Sequence, residues 1–159
     1  AMTSSHGFTK GFAHTEEHAE CVQVLRERID AAAAAGFPNV ITFSGFRRGI
    51  SDEVGMKNMV DGLKKIAGHS EQKDVALGLE MLNSRVAVEM KGHPDYFCDD
   101  MERSVEICRR VGSERVLSSR EERDSKGKET VGFVPFGLRD RALLSERWRK
   151  RKLHFAVPQ

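Results

Sequence analysis

The sequence has no apolar run approaching the ~20 residues that a membrane-spanning helix requires, and no charged–apolar–small leader pattern opens it. Its cysteines are only three, Cys21, Cys98 and Cys108, an odd number without C-x-x-C spacing. A reduced, cytoplasmic protein is the simplest account of that usage. What is present suits a packed domain: 159 residues, 39% hydrophobic and 31% charged, enough to bury a core in one ordinary domain or in part of a larger one. The net charge of +2 conceals an asymmetry. Residues 1–116 carry 15 Lys and Arg against 18 Asp and Glu, and residues 117–159 carry 11 against 6, so an acidic segment precedes a basic one.

Residues 1–14 are rich in Gly, Ser and Thr and read as loop or frayed terminus. Thr15 is placed to cap a helix over about 16–35, with Glu16 and Glu17 favourable to its dipole. Val22, Leu25, Ile29 and Ala32 form its apolar face, and Gly36 and Pro38 end it. A β-branched strand over 39–44 follows, then the basic loop Gly45-Phe-Arg-Arg-Gly49. Ser51 caps a second helix over about 52–73, with Met59, Leu63 and Ile66 on its apolar side. A third helix runs over about 100–112 to Gly112, and Arg115-Val-Leu117 begins another strand.

Between the second and third helices lies the most informative stretch, Val75-Ala-Leu-Gly-Leu-Glu-Met-Leu-Asn-Ser-Arg85. Val75 to Leu79 is almost wholly apolar, as a strand buried on both faces of a parallel sheet would be. Gly78 disfavours the competing helical reading. Glu80 stands where the buried run ends, and in α/β folds the carboxyl ends of strands are where ligands bind. Helix and strand alternate in units of about forty residues that share no sequence similarity, which implies a parallel sheet with right-handed crossovers. The expected fold is therefore α/β; two full strands are too few for a closed barrel of about eight, and if the sheet belongs to a barrel the chain holds only its middle.

The blocks Asn39-Val-Ile-Thr-Phe-Ser-Gly-Phe-Arg-Arg-Gly49, Asn58-Met-Val-Asp-Gly-Leu-Lys64, Leu79-Glu-Met-Leu-Asn-Ser-Arg85 and Gly92-His-Pro-Asp-Tyr96 resemble the hydroxypyruvate isomerase-like proteins. Those proteins belong to the xylose isomerase-like TIM-barrel superfamily of sugar and sugar-phosphate isomerases and epimerases. The resemblance covers about residues 7–116 and implies an α/β fold, a partial (β/α)8 TIM barrel over 1–116 with a divergent basic tail over 117–159. It implies that 41–44 and 75–80 are the third and fourth barrel strands, and that Glu80 matches the family's metal-binding and catalytic glutamate. It further implies a divalent cation, Mg or Mn, held by that glutamate with an aspartate on the next strand, a histidine and a second glutamate. The substrate would be a small sugar or hydroxy-keto acid, isomerised by a proton shuttle between adjacent carbons. After Val116 the sequence departs from the family: Leu117-Ser-Ser-Arg-Glu-Glu-Arg-Asp-Ser-Lys-Gly-Lys128 is polar, and the remaining ligands have no matching positions. A shifted reading frame, an alternative exon or a truncated gene model would each produce this junction.

Glu80 is therefore the candidate catalytic and metal-binding residue, although a single carboxylate is a poor site for a hard cation. Arg47 could clamp a carboxylate or phosphate, or could be a solvent-facing loop charge, the reading preferred for Arg48. Asn83, Arg85 and His93 are candidate substrate-binding residues, with loop-stabilising bonds as the alternative. No second His or Cys stands at ligand spacing from His93. Tyr96 covers the site or packs the loop. Arg147-Trp-Arg-Lys-Arg-Lys152 reads as part of a solvated extension rather than a nucleic-acid surface. An open sheet also exposes edges, which invites homo-oligomerisation.

Overall fold

A computed structural model describes residues 3–4, 6–84, 93–123 and 129–134. Two short elements open the chain, strand β1 (Thr3–Ser4) and a 3-10 turn (Thr15–Glu17). They lead into helix α1 (His18–Ala34), strand β2 (Asn39–Thr42), helix α2 (Asp52–Lys73) and strand β3 (Ala76–Glu80). Helix α3 (Met101–Val111) and strands β4 (Val116–Arg123) and β5 (Glu129–Val134) complete the described residues.

The helix ends follow from local chemistry. Ser51 accepts the Val54 amide at 3.3 Å and Asp100 accepts the Arg103 amide at 3.1 Å, each satisfying an orphan donor of the first turn. Past α1 the left-handed Gly36 (φ 74°) lets Phe37 N–H donate back to the Ala32 carbonyl at 2.8 Å. Thr15 does not cap α1 as its residue type suggests. The chain enters through the 3-10 turn, with no side-chain cap at its start or at the start of α1. Glu17 at that junction instead accepts the Gly11 amide at 2.8 Å and pairs with Arg48 at 2.5 Å.

The five strands lie side by side in the order β1-β2-β3-β4-β5, the first four parallel and the last antiparallel to β4. Register places Val40, Leu77 and Val116 in one row and Thr42, Leu79 and Ser118 in another. Val40, Leu77, Leu79 and Val116 share one buried cluster with Leu25 and Ile29 of α1, Met59, Leu63 and Ile66 of α2, and Ile107 and Val111 of α3. All three helices thus cover the same face of the sheet, as successive crossovers around a barrel do, and not the two faces of a doubly wound fold. Side chains alternate along a strand, so Ile41, Ala76, Glu80, Leu117 and Ser119 point to the other face. They are buried but, Glu80 and Ser119 being polar and the rest standing outside the helix-covered cluster, they form a second layer.

Two features differ from the sequence reading. Thr3 and Ser4 pair with Val40 and Ile41, so the opening segment is not all loop. The strand beginning at Val116 does not stop where the polar residues start; it keeps register with β3 through Ser119 and then pairs with β5 as far as Arg123. Among the described residues no helix is long and apolar enough to cross a membrane. The basic run 147–152 lies outside the described residues.

Candidate functional site

Glu80 is the last residue of β3, on the face away from the helices and only 7% exposed. Its register partner on β4 is Ser119, whose hydroxyl donates to Glu80 Oε2 at 2.8 Å. The backbone is tied on the same side, since Met81 N–H donates to the Ser119 carbonyl at 3.2 Å. On the other side, toward β2, the Tyr96 hydroxyl donates to the Glu80 carbonyl at 3.0 Å and accepts the Ser44 amide at 3.0 Å. Tyr96 is fully buried, and burial pushes its phenol far above the ordinary range, so it stays a neutral donor.

Three loops meet above these strand ends. The segment 6–14, following β1, docks on the loop after β2: Ala13 N–H donates to the Ser44 carbonyl at 3.0 Å, and His14 Nε2 lies 2.9 Å from the Phe46 carbonyl. Gly11 is pressed against the backbone of Phe43, Ser44 and Gly45, where a Cβ would collide. The loop after β3 returns across both. Phe46 and Tyr96 form an antiparallel bridge, Arg47 N–H donates to the Asp95 carbonyl at 2.6 Å, and Phe97 N–H donates to the Gly45 carbonyl at 3.0 Å.

Of the candidates drawn from the sequence, Arg47, Asn83 and His93 stand on the loops beyond the strand end that carries Glu80. Arg47 pairs with Asp52 at the start of α2 and lies 5.1 Å over the Phe97 ring. Arg103 reaches the same Asp52 at 2.9 Å and the same ring at 5.3 Å. The Arg47 guanidinium therefore braces the loop. Arg48, in the left-handed region (φ 47°), pairs with Glu17. Asn83 is exposed and its carbonyl accepts the His93 amide at 2.8 Å, a loop-closing bond. The half-buried His93 ring meets the Phe8 ring edge-on, centroids 4.7 Å apart. Arg85 lies outside the described residues. Cys98 and Cys108 are buried, and burial pushes both thiols up to about 12, far from a reactive thiolate.

Sequence reasoning passed over His6 and Ser119. His6 follows β1; its Nδ1 lies 3.1 Å from the Lys10 carbonyl, so that nitrogen carries the proton, and Nε2 accepts the Thr42 hydroxyl at 3.2 Å. Desolvation holds its pKa below the usual histidine value. A hidden two-residue strand and a polar tail concealed these two positions, and only the register of the sheet reveals them.

Chemically, the described residues present one buried carboxylate beside a neutral hydroxyl. Among them no three His, Cys, Asp or Glu side chains form a group able to hold a metal ion. Divalent oxygen-seeking cations require several oxygen ligands, and Glu80 with Ser119 does not meet that requirement.

The fold agrees with comparison to known proteins. The chain belongs to the xylose isomerase-like TIM barrel family, whose model matches residues 2–118. No curated protein matches the sequence. Among solved structures it is similar to an AP endonuclease, family 2, from Brucella melitensis, with 18% identity and a TM-score of 0.55, over 69% of this chain and 40% of that one. It is also similar to an IolI protein with a bound zinc atom, with 21% identity and a TM-score of 0.53, over 64% of this chain and 34% of that one. A third is a xylose isomerase-like TIM barrel/4-hydroxyphenylpyruvate dioxygenase fusion protein, with 13% identity and a TM-score of 0.51, over 73% and 17%. The chain thus spans well under half the length of each, and at these identities the likeness shows the fold alone.

Proposed function

We propose that this chain carries the proton-transfer strand of a sugar isomerase or epimerase of the hydroxypyruvate isomerase-like type, and that the 159 residues by themselves do not turn over substrate. The observation that carries the reading is Glu80: a buried carboxylate at the carboxyl end of a parallel barrel strand, one oxygen held by Ser119. A carboxylate so placed can take a proton from the carbon beside a substrate carbonyl and return it to the neighbouring carbon. The substrate class is a small sugar or hydroxy-keto acid. The negative charge that develops on the enediolate oxygens must be stabilised for the reaction to proceed. In complete relatives we assign that task to a divalent cation, Mg or Mn, and the described residues do not assemble its ligands. Loss of such a charge stabiliser removes several kcal/mol from the transition state, and about 1.4 kcal/mol is tenfold in rate.

The purified chain, incubated with hydroxypyruvate and Mg²⁺ or Mn²⁺, is expected to form no more tartronate semialdehyde than its Glu80→Gln variant. Conversion abolished both by chelator and by Glu80→Gln would overturn the inert-chain reading. If two copies complete the site, the specific activity rises with protein concentration. A chimera placing residues 39–118 in a complete hydroxypyruvate isomerase barrel tests the other half: it is expected to be active and to lose about 10²–10⁴-fold on Glu80→Gln. An active chimera indifferent to that change would remove Glu80 from the mechanism.

A further inference from the structure

We infer that Tyr96 is a positioning residue for Glu80, acting through the Glu80 backbone to hold its carboxylate against Ser119. The β2–β3 ladder ends at the pair Thr42 and Leu79, one residue before Glu80. Beyond that point the strands are joined by the Tyr96 hydroxyl, which stands between Ser44 N and Glu80 O at 3.0 Å from each. The direction of the bonds is determined: an amide can only donate to the hydroxyl and a carbonyl can only accept from it, so the phenolic proton points at Glu80. Glu80 is then held from both flanks, by Tyr96 toward β2 and by the Met81–Ser119 and Ser119–Glu80 bonds toward β4.

The placement of Tyr96 is itself prepared from three directions. Its own amide donates to the His93 carbonyl at 3.1 Å, its backbone bridges Phe46, and the ring of the next residue, Phe97, packs against both the Arg47 and Arg103 guanidiniums. Gly55 of α2 lies directly against the Phe97 ring, at a distance only a glycine permits. The loop after β3 thus carries a fully buried tyrosine back under its own strand end. A tyrosine kept neutral and saturated in this way does not exchange protons with a substrate; it aims the residue that does.

The inference rests on the reading of Glu80 as the proton-transfer group, and its test is independent of turnover, so the two fail separately. Tyr96 is the sole tyrosine of the chain. In Tyr96→Phe, hydrogen exchange at the Met81 amide is expected to accelerate by about tenfold as a buried bond beside it is lost, and the scalar couplings of Glu80 χ1 are expected to average between rotamers. Ser44→Ala is the control. It removes the acceptor of the Cys98 amide, 3.0 Å away, while leaving the Ser44 amide on Tyr96. It should loosen Cys98 and leave Met81 and Glu80 at wild-type values. Identical behaviour of the two variants, or a lower melting temperature in Tyr96→Phe with Met81 and Glu80 unchanged, would overturn the inference. Should Tyr96→Phe not fold, global replacement by 3-fluorotyrosine labels this position alone and strengthens the donor. Slower Met81 exchange then supports the role, and unchanged exchange refutes it.

Discussion

His6 and His18 exchange water for carbonyl partners on folding, and this makes stability depend on pH in a definite direction. His18 Nε2 lies 3.0 Å from the Phe12 carbonyl, while Lys65 Nζ approaches its Nδ1 at 3.2 Å. Burial is the largest cause holding both imidazoles below the usual 6.5, with Lys65 adding to it at His18. The unfolded chain therefore binds more protons than the native one just below pH 6.5, so stability rises with pH there. The contribution is fully present above pH 6.5 and is lost as pH falls through 6.5 toward the depressed folded values. The urea midpoint is expected to be lower at pH 5.5 than at pH 7.5, and His6→Asn, which keeps a donor near the Lys10 carbonyl, is expected to reduce the decline. The carboxylates whose pKa values are lowered, Asp30, Asp52 and Asp61 among them, titrate below this window and leave it undisturbed. A flat or rising midpoint on acidification would contradict the assignment.

Helix α2 shows how an element-level rule divides when tertiary contacts enter. It contains Gly55, Gly62 and Gly68. A Cβ at Gly68 meets only open space, whereas at Gly55 it collides with the Phe97 ring and at Gly62 with the ring of Phe12. Gly68→Ala is therefore expected to stabilise the protein by about 0.5–1 kcal/mol through helix propensity. Gly55→Ala should destabilise it by about 1–3 kcal/mol through overpacking, read from denaturant midpoints at equal slope. The same division explains what the sequence reveals. Ser51, Gly36 and Gly112 are legible because a cap is settled within about one turn and a half of helix, and the three helices and the β2–β3 pair fall where periodicity places them. Thr15 misleads because Glu17 is drawn to Gly11 and Arg48. The two residues of β1 are too few to show alternation, and Ser118 and Ser119 look wrong for a buried strand until Ser104 and Glu80 are seen to accommodate their hydroxyls. Glu80 is readable as a strand-end carboxylate, but its support from Tyr96 depends on a contact sixteen residues away in the chain. For Arg47 the sequence left a ligand clamp and a loop charge both open, and its pairing with Asp52 is a tertiary contact that no local pattern announces.

The whole molecule departs from a barrel at β4. In a closed (β/α)8 barrel each strand has a parallel neighbour on both sides; here β4 has β3 on one side and the antiparallel β5 on the other, pairing Ser118 with Val134 through Arg123 with Glu129. β5 thus occupies the edge that a further parallel strand would take, and shields a row of backbone donors and acceptors that would otherwise template association. Among the described residues nothing pairs the outer edges of β1 and β5, so weak self-association is expected of the wild-type chain, its mean mass rising with concentration. Proline tests whether β5 shields β4. Successive amides along a strand point to opposite neighbours, so of Val131→Pro and Gly132→Pro one removes a donor aimed at β4 and the other an outward amide. The inward variant is expected to associate at about tenfold lower concentration than the wild type, equivalent to about 1.4 kcal/mol, when followed by light scattering after size exclusion. The outward variant should behave as the wild type or associate less, because proline blunts an exposed edge. If both variants keep the wild-type mass profile, the hairpin contributes nothing to keeping β4 covered, and the edge of the partial barrel is protected by other means.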